Sequence, residues 1–196
     1  MQNQKQKNTI MVNVFLVNIW KGKIRMKRIA KFEKVSFEEF MKAIEDIYPD
    51  WDENYIRRVY DDIVLPKRAT SGSAGYDFFM PYSATLSPND TIKVPTGIRC
   101  KMDEGWVLKA YPRSGHGFKF GVRLANTVGI IDSDYYYSDN EGHMFMKLVN
   151  SDPVLSKPIE LKEGTAFCQG IFSEYGITVD DEATTVRNGG FGSTSK

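Results

Sequence analysis

The chain has 196 residues, 41% hydrophobic and 26% charged, enough for one domain with a sizeable core. Lys and Arg number 26 against 25 Asp and Glu. That balance excludes the broad basic face that grips a nucleic-acid polymer, so any phosphate is held locally by a few placed cations. Cys100, Cys168, His116 and His143 stand apart in sequence, so no protein-ligated zinc cluster is expected. Two small apolar thiols suit a reducing compartment, the cytoplasm.

Residues 1–25 read as an upstream extension or arm. Met1 to Asn8 is polar and amide-rich. The apolar run from Ile10 to Trp20 is interrupted by Asn13 and Asn18 and falls short of the ~20 residues a membrane span needs. Only Lys21-Gly22-Lys23-Ile24-Arg25 follows, with no small-residue cleavage site, so neither secretion nor a membrane partner is expected. Met26-Lys27-Arg28 reads as a second start.

Residues 26–64 predict a strand and two helices. Loose alternation marks a strand within 26–35. Ser36-Phe37-Glu38-Glu39 is a capping box, and Phe37, Phe40, Met41, Ile44, Ile47 and Tyr48 then recur at helical spacing until Pro49. A second helix is expected over 52–63, with Ile56, Val59, Tyr60 and Ile63 on one face. Both helices read as a packed addition and not as a cofactor site.

From Leu65 to residue 186 the texture changes. Short β-prone runs at 76–79, 91–94, 98–101, 106–111, 127–131, 144–149 and 166–175 alternate with Gly, Pro, Asn and Asp. Many short strands with turn signals between them predict an all-β domain, a sandwich or jelly-roll barrel.

Five stretches carry chemistry beyond turn formation. Ala74-Gly75-Tyr76-Asp77 puts a carboxylate at a strand start. Pro112-Arg113-Ser114-Gly115 offers a guanidinium fork suited to phosphate, a hydroxyl and bare backbone. Asn126-Thr127-Val128-Gly129-Ile130-Ile131-Asp132-Ser133-Asp134-Tyr135 is an apolar hairpin ending in two carboxylates and an aromatic. Gln169 is the one polar side chain of Gly164-Thr165-Ala166-Phe167-Cys168-Gln169-Gly170. Residues 187–196, Arg187-Asn188-Gly189-Gly190-Phe191-Gly192-Ser193-Thr194-Ser195-Lys196, join a cation, three glycines and a phenyl ring. Such a segment builds no core but can close over a nucleotide. Taken singly, each of these also reads as an ordinary turn, loop or tail.

In this order, the five stretches resemble the motifs of the trimeric dUTPase family, over about residues 65–196. The resemblance implies a distorted jelly roll, a homotrimer, and hydrolysis of dUTP to dUMP and pyrophosphate by water attack on the α-phosphate. That reaction limits uracil in DNA and supplies dUMP for dTMP synthesis. Asp132 matches the catalytic aspartate, a carboxylate that can accept a proton or aim the water. Arg113, the Ser114 backbone, Gly115 and Gln169 match the holders of the α- and β-phosphates. Asn126 and Gly129 match the hairpin that reads the uracil edge, and Tyr135 the residue packed on deoxyribose. Arg187, Ser193 and Thr194 match the γ-phosphate contacts; Phe191 and Gly192 belong to the lid over uracil. Mg²⁺ sits on the triphosphate, and Asp77 reaches it through water. One subunit supplies Asp77, Arg113, Ser114 and Gln169, a second the hairpin, and a third the arm at 187–196.

The chain departs from the family pattern in five places, one of them the final Ser195-Lys196 where a glycine is usual. Residues 136–141 intervene before Gly142, where the family places a glycine close behind the tyrosine. Ala166-Phe167-Cys168 replaces the usual Arg-Ile-Ala, so only Gln169 carries over. The span from Arg187 to Gly190 is one residue short. The helices of 26–64 have no counterpart. Two alternatives stand beside the hydrolase. One is a dCTP deaminase of the same fold, against which Asp132-Ser133-Asp134 argues. The other is a dUTP-dependent binding module with a regulatory protein partner, contacted through the helices or the 136–141 loop.

Overall fold

A computed structural model of the chain describes residues 26–151, 157–185, 187 and 189; the expected extension at 1–25 lies outside them. Eleven strands are found among the described residues, and every pairing between them is antiparallel. β1 (Ala30–Lys34) is followed by α1 (Phe37–Glu45) and α2 (Glu53–Asp61). Then come β2 (Tyr76–Phe79), β3 (Ala84–Leu86), β4 (Thr91–Pro95), β5 (Ile98–Met102) and β6 (Trp106–Pro112). The chain continues through α3 (Ser114–Phe120), β7 (Val122–Leu124), β8 (Gly129–Ile131), a 3₁₀ turn (Ser133–Tyr137), β9 (Phe145–Asn150), β10 (Ile159–Leu161) and β11 (Ala166–Glu174).

The four-stranded sheet has the order β2-β11-β6-β8 and the three-stranded sheet the order β4-β9-β7. β1 pairs with β5, and β10 with β3. The long central strands β6 and β11 send Leu108, Ala110, Phe167 and Cys168 inward. Val94, Leu124 and Leu148 of the other sheet join them in one apolar cluster. This is a jelly-roll-like β fold. Burying each of the leucine, valine and phenylalanine side chains in that cluster favours folding by about 1.5–3 kcal/mol.

The helical pair shares that core. Phe40 and Ile44 of α1 and Ile56 and Val59 of α2 lie in the same cluster. Tyr48 stacks on Trp51 with centroids 4.4 Å apart, and both rings meet Tyr82 edge-on. β1 pairs in register with β5, Phe32 opposite Cys100.

Three local readings change. The expected strand over 127–131 begins only at Gly129, because Thr127 turns with a φ of 65°. Residues 114–120 form a seven-residue helix where a turn was expected. The capping box is half made: Ser36 Oγ accepts from Glu39 N–H at 3.2 Å, but the Ser36 N–H donates to Glu141 at 2.8 Å instead of to Glu39.

Candidate active site

The first group of polar side chains lies where β2, β11 and β6 run side by side. Gln169 is the cross-strand partner of both Asp77 and Tyr111, which puts Asp77 and Gln169 on one face. Arg113 follows directly on β6, and α3 starts at the next residue. Asp77, Arg113, Ser114, Gly115 and Gln169 therefore line a single cavity of about 750 Å³, with His116 and Lys119 on its wall. Arg113 Nε lies 3.5 Å from Asp77 Oδ1. Gln169 Nε2 donates to Pro112 O at 3.3 Å, a cross-strand bond. A Cβ on Gly75 would meet Gln169 Oε1 at 2.7 Å, so that position is held open for the glutamine.

The cavity favours anions. Burial and the Arg113 charge both push His116 below its usual range, towards the neutral form. Its Nδ1 is buried without a hydrogen-bond partner. The first helical hydrogen bond of α3 runs from His116 N to Arg113 O. The Ser114 and Gly115 amides precede it and point where phosphate oxygens are well received.

The second group follows β8 at the other edge of the sheet. Asn126 and Gly129 line a separate cavity of about 330 Å³. Asp132 caps the 3₁₀ turn without using its side chain, which is 48% exposed. Arg187 Nη2 donates to Asp132 Oδ2 at 2.6 Å, and Arg187 Nε to Asp134 Oδ1 at 3.1 Å. The guanidinium thus bridges two carboxylates of its own chain, whereas the resemblance implies a γ-phosphate contact and an arm from a third subunit. Tyr135 is buried, with its hydroxyl donating to His143 O at 2.7 Å and accepting from Asn140 at 2.8 Å. Burial raises its pKa. Phe191, Gly192, Ser193 and Thr194 lie outside the described residues.

One chain does not bring the two groups together. Ala110 pairs with Gly129 and Leu108 with Ile131, so Asp132 falls level with Val107, at the opposite end of β6 from Arg113. The six residue steps from Val107 to Arg113 separate those levels by about 20 Å along the strand.

Histidine 143, Glu141 and Asn140 are functional candidates that motif reading missed. The insertion is a loop whose ends meet. A Cβ on Gly142 (φ 72°) would stand 2.7 Å from Tyr136 Cα and 2.8 Å from Tyr135 O, so the displaced glycine still packs directly behind the tyrosine. His143 Nε2 accepts from Gly97 N–H at 2.9 Å. That leaves its proton on Nδ1, facing Glu39 at 3.4 Å. The sequence marked His143 only as a lone histidine, and nothing local pointed to its partner Gly97, 46 residues away.

The comparisons with known proteins follow from this arrangement. The dUTPase family model matches residues 61–195. A deoxyuridine 5'-triphosphate nucleotidohydrolase of Lactococcus lactis is 40% identical over 135 residues, 67% of this chain and 88% of the relative. That of Dictyoglomus turgidum is 34% identical over 148 residues, 71% of this chain and 95% of the relative. A dUTPase structure from Streptococcus mutans has a TM-score of 0.56 at 30% identity, covering 75% of this chain and 97% of that one. A mutant dUTPase from phage phi11 of Staphylococcus aureus, solved to detail a structural Mg(II) ion, shares the fold. It has a TM-score of 0.55 at 15% identity and covers 81% of this chain and 98% of that one.

Proposed function

Because the chain belongs to the dUTPase family and hydrolyses dUTP to dUMP and pyrophosphate, we propose a division of that work among its residues. The observation that carries it is the cavity in which Asp77, Arg113, Ser114, Gly115 and Gln169 converge. Arg113, with its planar fork, and the Ser114 and Gly115 amides hold the α- and β-phosphates, with Gln169 beside them. Asp132 holds and aims the attacking water. Asn126 and Gly129 read the uracil edge, and Tyr135 packs on deoxyribose. Arg187, Ser193 and Thr194 take the γ-phosphate, while Phe191 and Gly192 close over the base. Positioning and charge stabilisation supply most of what phosphoryl transfer needs.

The active form is a homotrimer. The separation of Arg113 from Asp132 along β6 supports this, because a second copy can bring its hairpin to the phosphate cavity of the first. The chain's residues also fit a magnesium ion carried in on the nucleotide. Among the described residues no cluster of three or more His, Cys, Asp or Glu could hold a metal, and Asp77 offers one carboxylate inside the cavity. Bound to the triphosphate, Mg²⁺ would neutralise part of its charge, and Asp77 would hold it by accepting hydrogen bonds from its water shell. The cytoplasm is the compartment proposed, in keeping with two buried free thiols. No helix of the described residues is long and apolar enough to cross a membrane.

The test is incubation of the protein and Mg²⁺ with dUTP, dCTP, dTTP and UTP separately, with Asp132→Asn alongside and products resolved by chromatography. dUMP from dUTP alone, lost in the variant, is the expected result. Conversion of dCTP to a uracil nucleotide would overturn it in favour of a deaminase.

A further inference from the structure

Two segments without a counterpart in the family motifs, the α1–α2 pair and the 136–141 insertion, meet each other. The carboxylate of Glu141 accepts from Ser36 N–H at 2.8 Å and from Ser36 Oγ–H at 2.5 Å. Arg99 stands 3.7 Å from Glu141 and 3.7 Å from Glu33. Tyr136 donates to Glu33 at 2.6 Å, and the Arg99 guanidinium lies 4.6 Å from the centre of its ring. Glu39, freed from the capping box, faces His143.

From Glu141 a ladder of main-chain hydrogen bonds leads back to Asp132. Glu141 N–H donates to Ser138 O at 2.8 Å, Ser138 N–H to Tyr135 O at 3.1 Å, and Tyr135 N–H to Asp132 O at 3.2 Å. Side chains tie the same loop together: Tyr135 Oη donates to His143 O, and Asn140 Nδ2 donates to Tyr135 Oη and to His143 O. The 3₁₀ turn that carries Asp132 has no side-chain cap of its own. Such turns have poor hydrogen-bond geometry and take their shape from their surroundings. Here the surroundings are β5 and β6, against which the turn packs, and, by way of Glu141, the N-terminus of α1.

We propose that Ser36 and Glu141 are positioning residues for Asp132: the start of α1 grips the inserted loop, and the loop fixes the turn that aims the carboxylate. The proposal rests on the reading of Asp132 as the residue that aims the water. It assigns the helical pair a part in the reaction. The N-cap of α1 is completed by a carboxylate 105 residues away, so the helix and the turn keep one relative placement.

The experiment is steady-state dUTP hydrolysis by the full chain with Mg²⁺, using Ser36→Ala, Glu141→Gln, their double variant and Ser36→Thr. Asp132→Asn serves as the control. Losing a hydrogen bond to a charged group is expected to lower kcat about tenfold in each single variant. KM should stay within about twofold, because Asp132 acts on the water and not on the bound nucleotide. The double variant should be no slower than the worse single one, since both remove the same contact. Ser36→Thr, which keeps a capping hydroxyl, should restore kcat. Unchanged kcat in the folded single variants with an inactive Asp132→Asn would overturn the positioning role alone. So would a tenfold rise in KM at constant kcat, or additive losses in the double variant. An active Asp132→Asn would instead remove the reading beneath it. If Glu141→Gln does not fold, the contrast between Ser36→Ala and Ser36→Thr decides the matter by itself.

Discussion

The two edges of the four-stranded sheet use their polar groups in opposite ways. Near β2, Arg113 is 46% exposed and meets Asp77 only at 3.5 Å, Gln169 makes one long bond, and His116 Nδ1 has none. Beyond β8, Tyr135 donates to His143, Gly97 donates to His143 and Ser36 donates twice to Glu141, at 2.5–2.9 Å. The exceptions there are Arg99 Nε, Ser138 Oγ and Asn140 Oδ1, buried without hydrogen-bond partners. The contrast is one of purpose. On the proposed reading, a pocket that takes a triphosphate keeps donors uncommitted, whereas a frame that holds one carboxylate still commits its donors internally.

The frame is most strongly tested through its core. Phe40 is fully buried and packs against Tyr60 and His143. Phe40→Ala is expected to cost about 3–5 kcal/mol in denaturant unfolding. A loss under about 1 kcal/mol, the scale of surface changes, would mean that the helices merely lean on the β fold and brace nothing.

The pocket side should behave in reverse. Arg113→Lys keeps the charge but removes the fork, so kcat/KM should drop about ten- to hundredfold. Its unfolding midpoint should stay within about 2 °C, because the side chain is half exposed and lightly bonded. A large fall in stability would erase the distinction between the two edges.

The smallest effect is the pH response of the frame. Burial pushes His143 below its usual range, against the opposing pull of Glu39 from α1 and Glu141 from the loop; Lys93 of β4 acts with burial. An unfolded histidine protonates near ~6.5. Below that pH the unfolded chain binds a proton that the folded chain resists, so stability falls as pH drops from about 6.5 towards the lower folded value. His143→Gln should flatten the decline in thermal midpoint over that window. Burial pushes Glu141 up, but the Ser36 bonds and Arg99 more than offset it and hold it below the ordinary carboxylate range. The stability it adds is complete above the unfolded value of about 4.3 and is lost as pH falls through the folded one, a separate and more acid window.

Strands with several turns of alternation were legible in the sequence: β2, β6 and β11 fall where the runs at 76–79, 106–111 and 166–175 place them. β3, β7 and β10 have three residues each, too few to display a period. α3 was unreadable because Gly115 and Gly117 weaken its propensity and none of its residues is buried. The site was legible as residue types in order, since Arg113, Asp132 and Gln169 have chemistry that survives without coordinates. Which carboxylate each cation meets was not. Arg187 to Asp132 and Ser36 to Glu141 join residues 55 and 105 positions apart, and no local pattern records such a pairing.

That last contact also sets an order of events in synthesis. Ser36 emerges from the ribosome 105 residues before Glu141, an interval of roughly 5–20 s at ordinary elongation rates. Throughout it, α1 has only the Ser36 hydroxyl at its N-terminus, and β1 reaches Ile98–Met102 before the carboxylate that completes the cap exists. The first helix among the described residues is therefore among the last to be finished. The turn carrying Asp132 acquires its support in the same step.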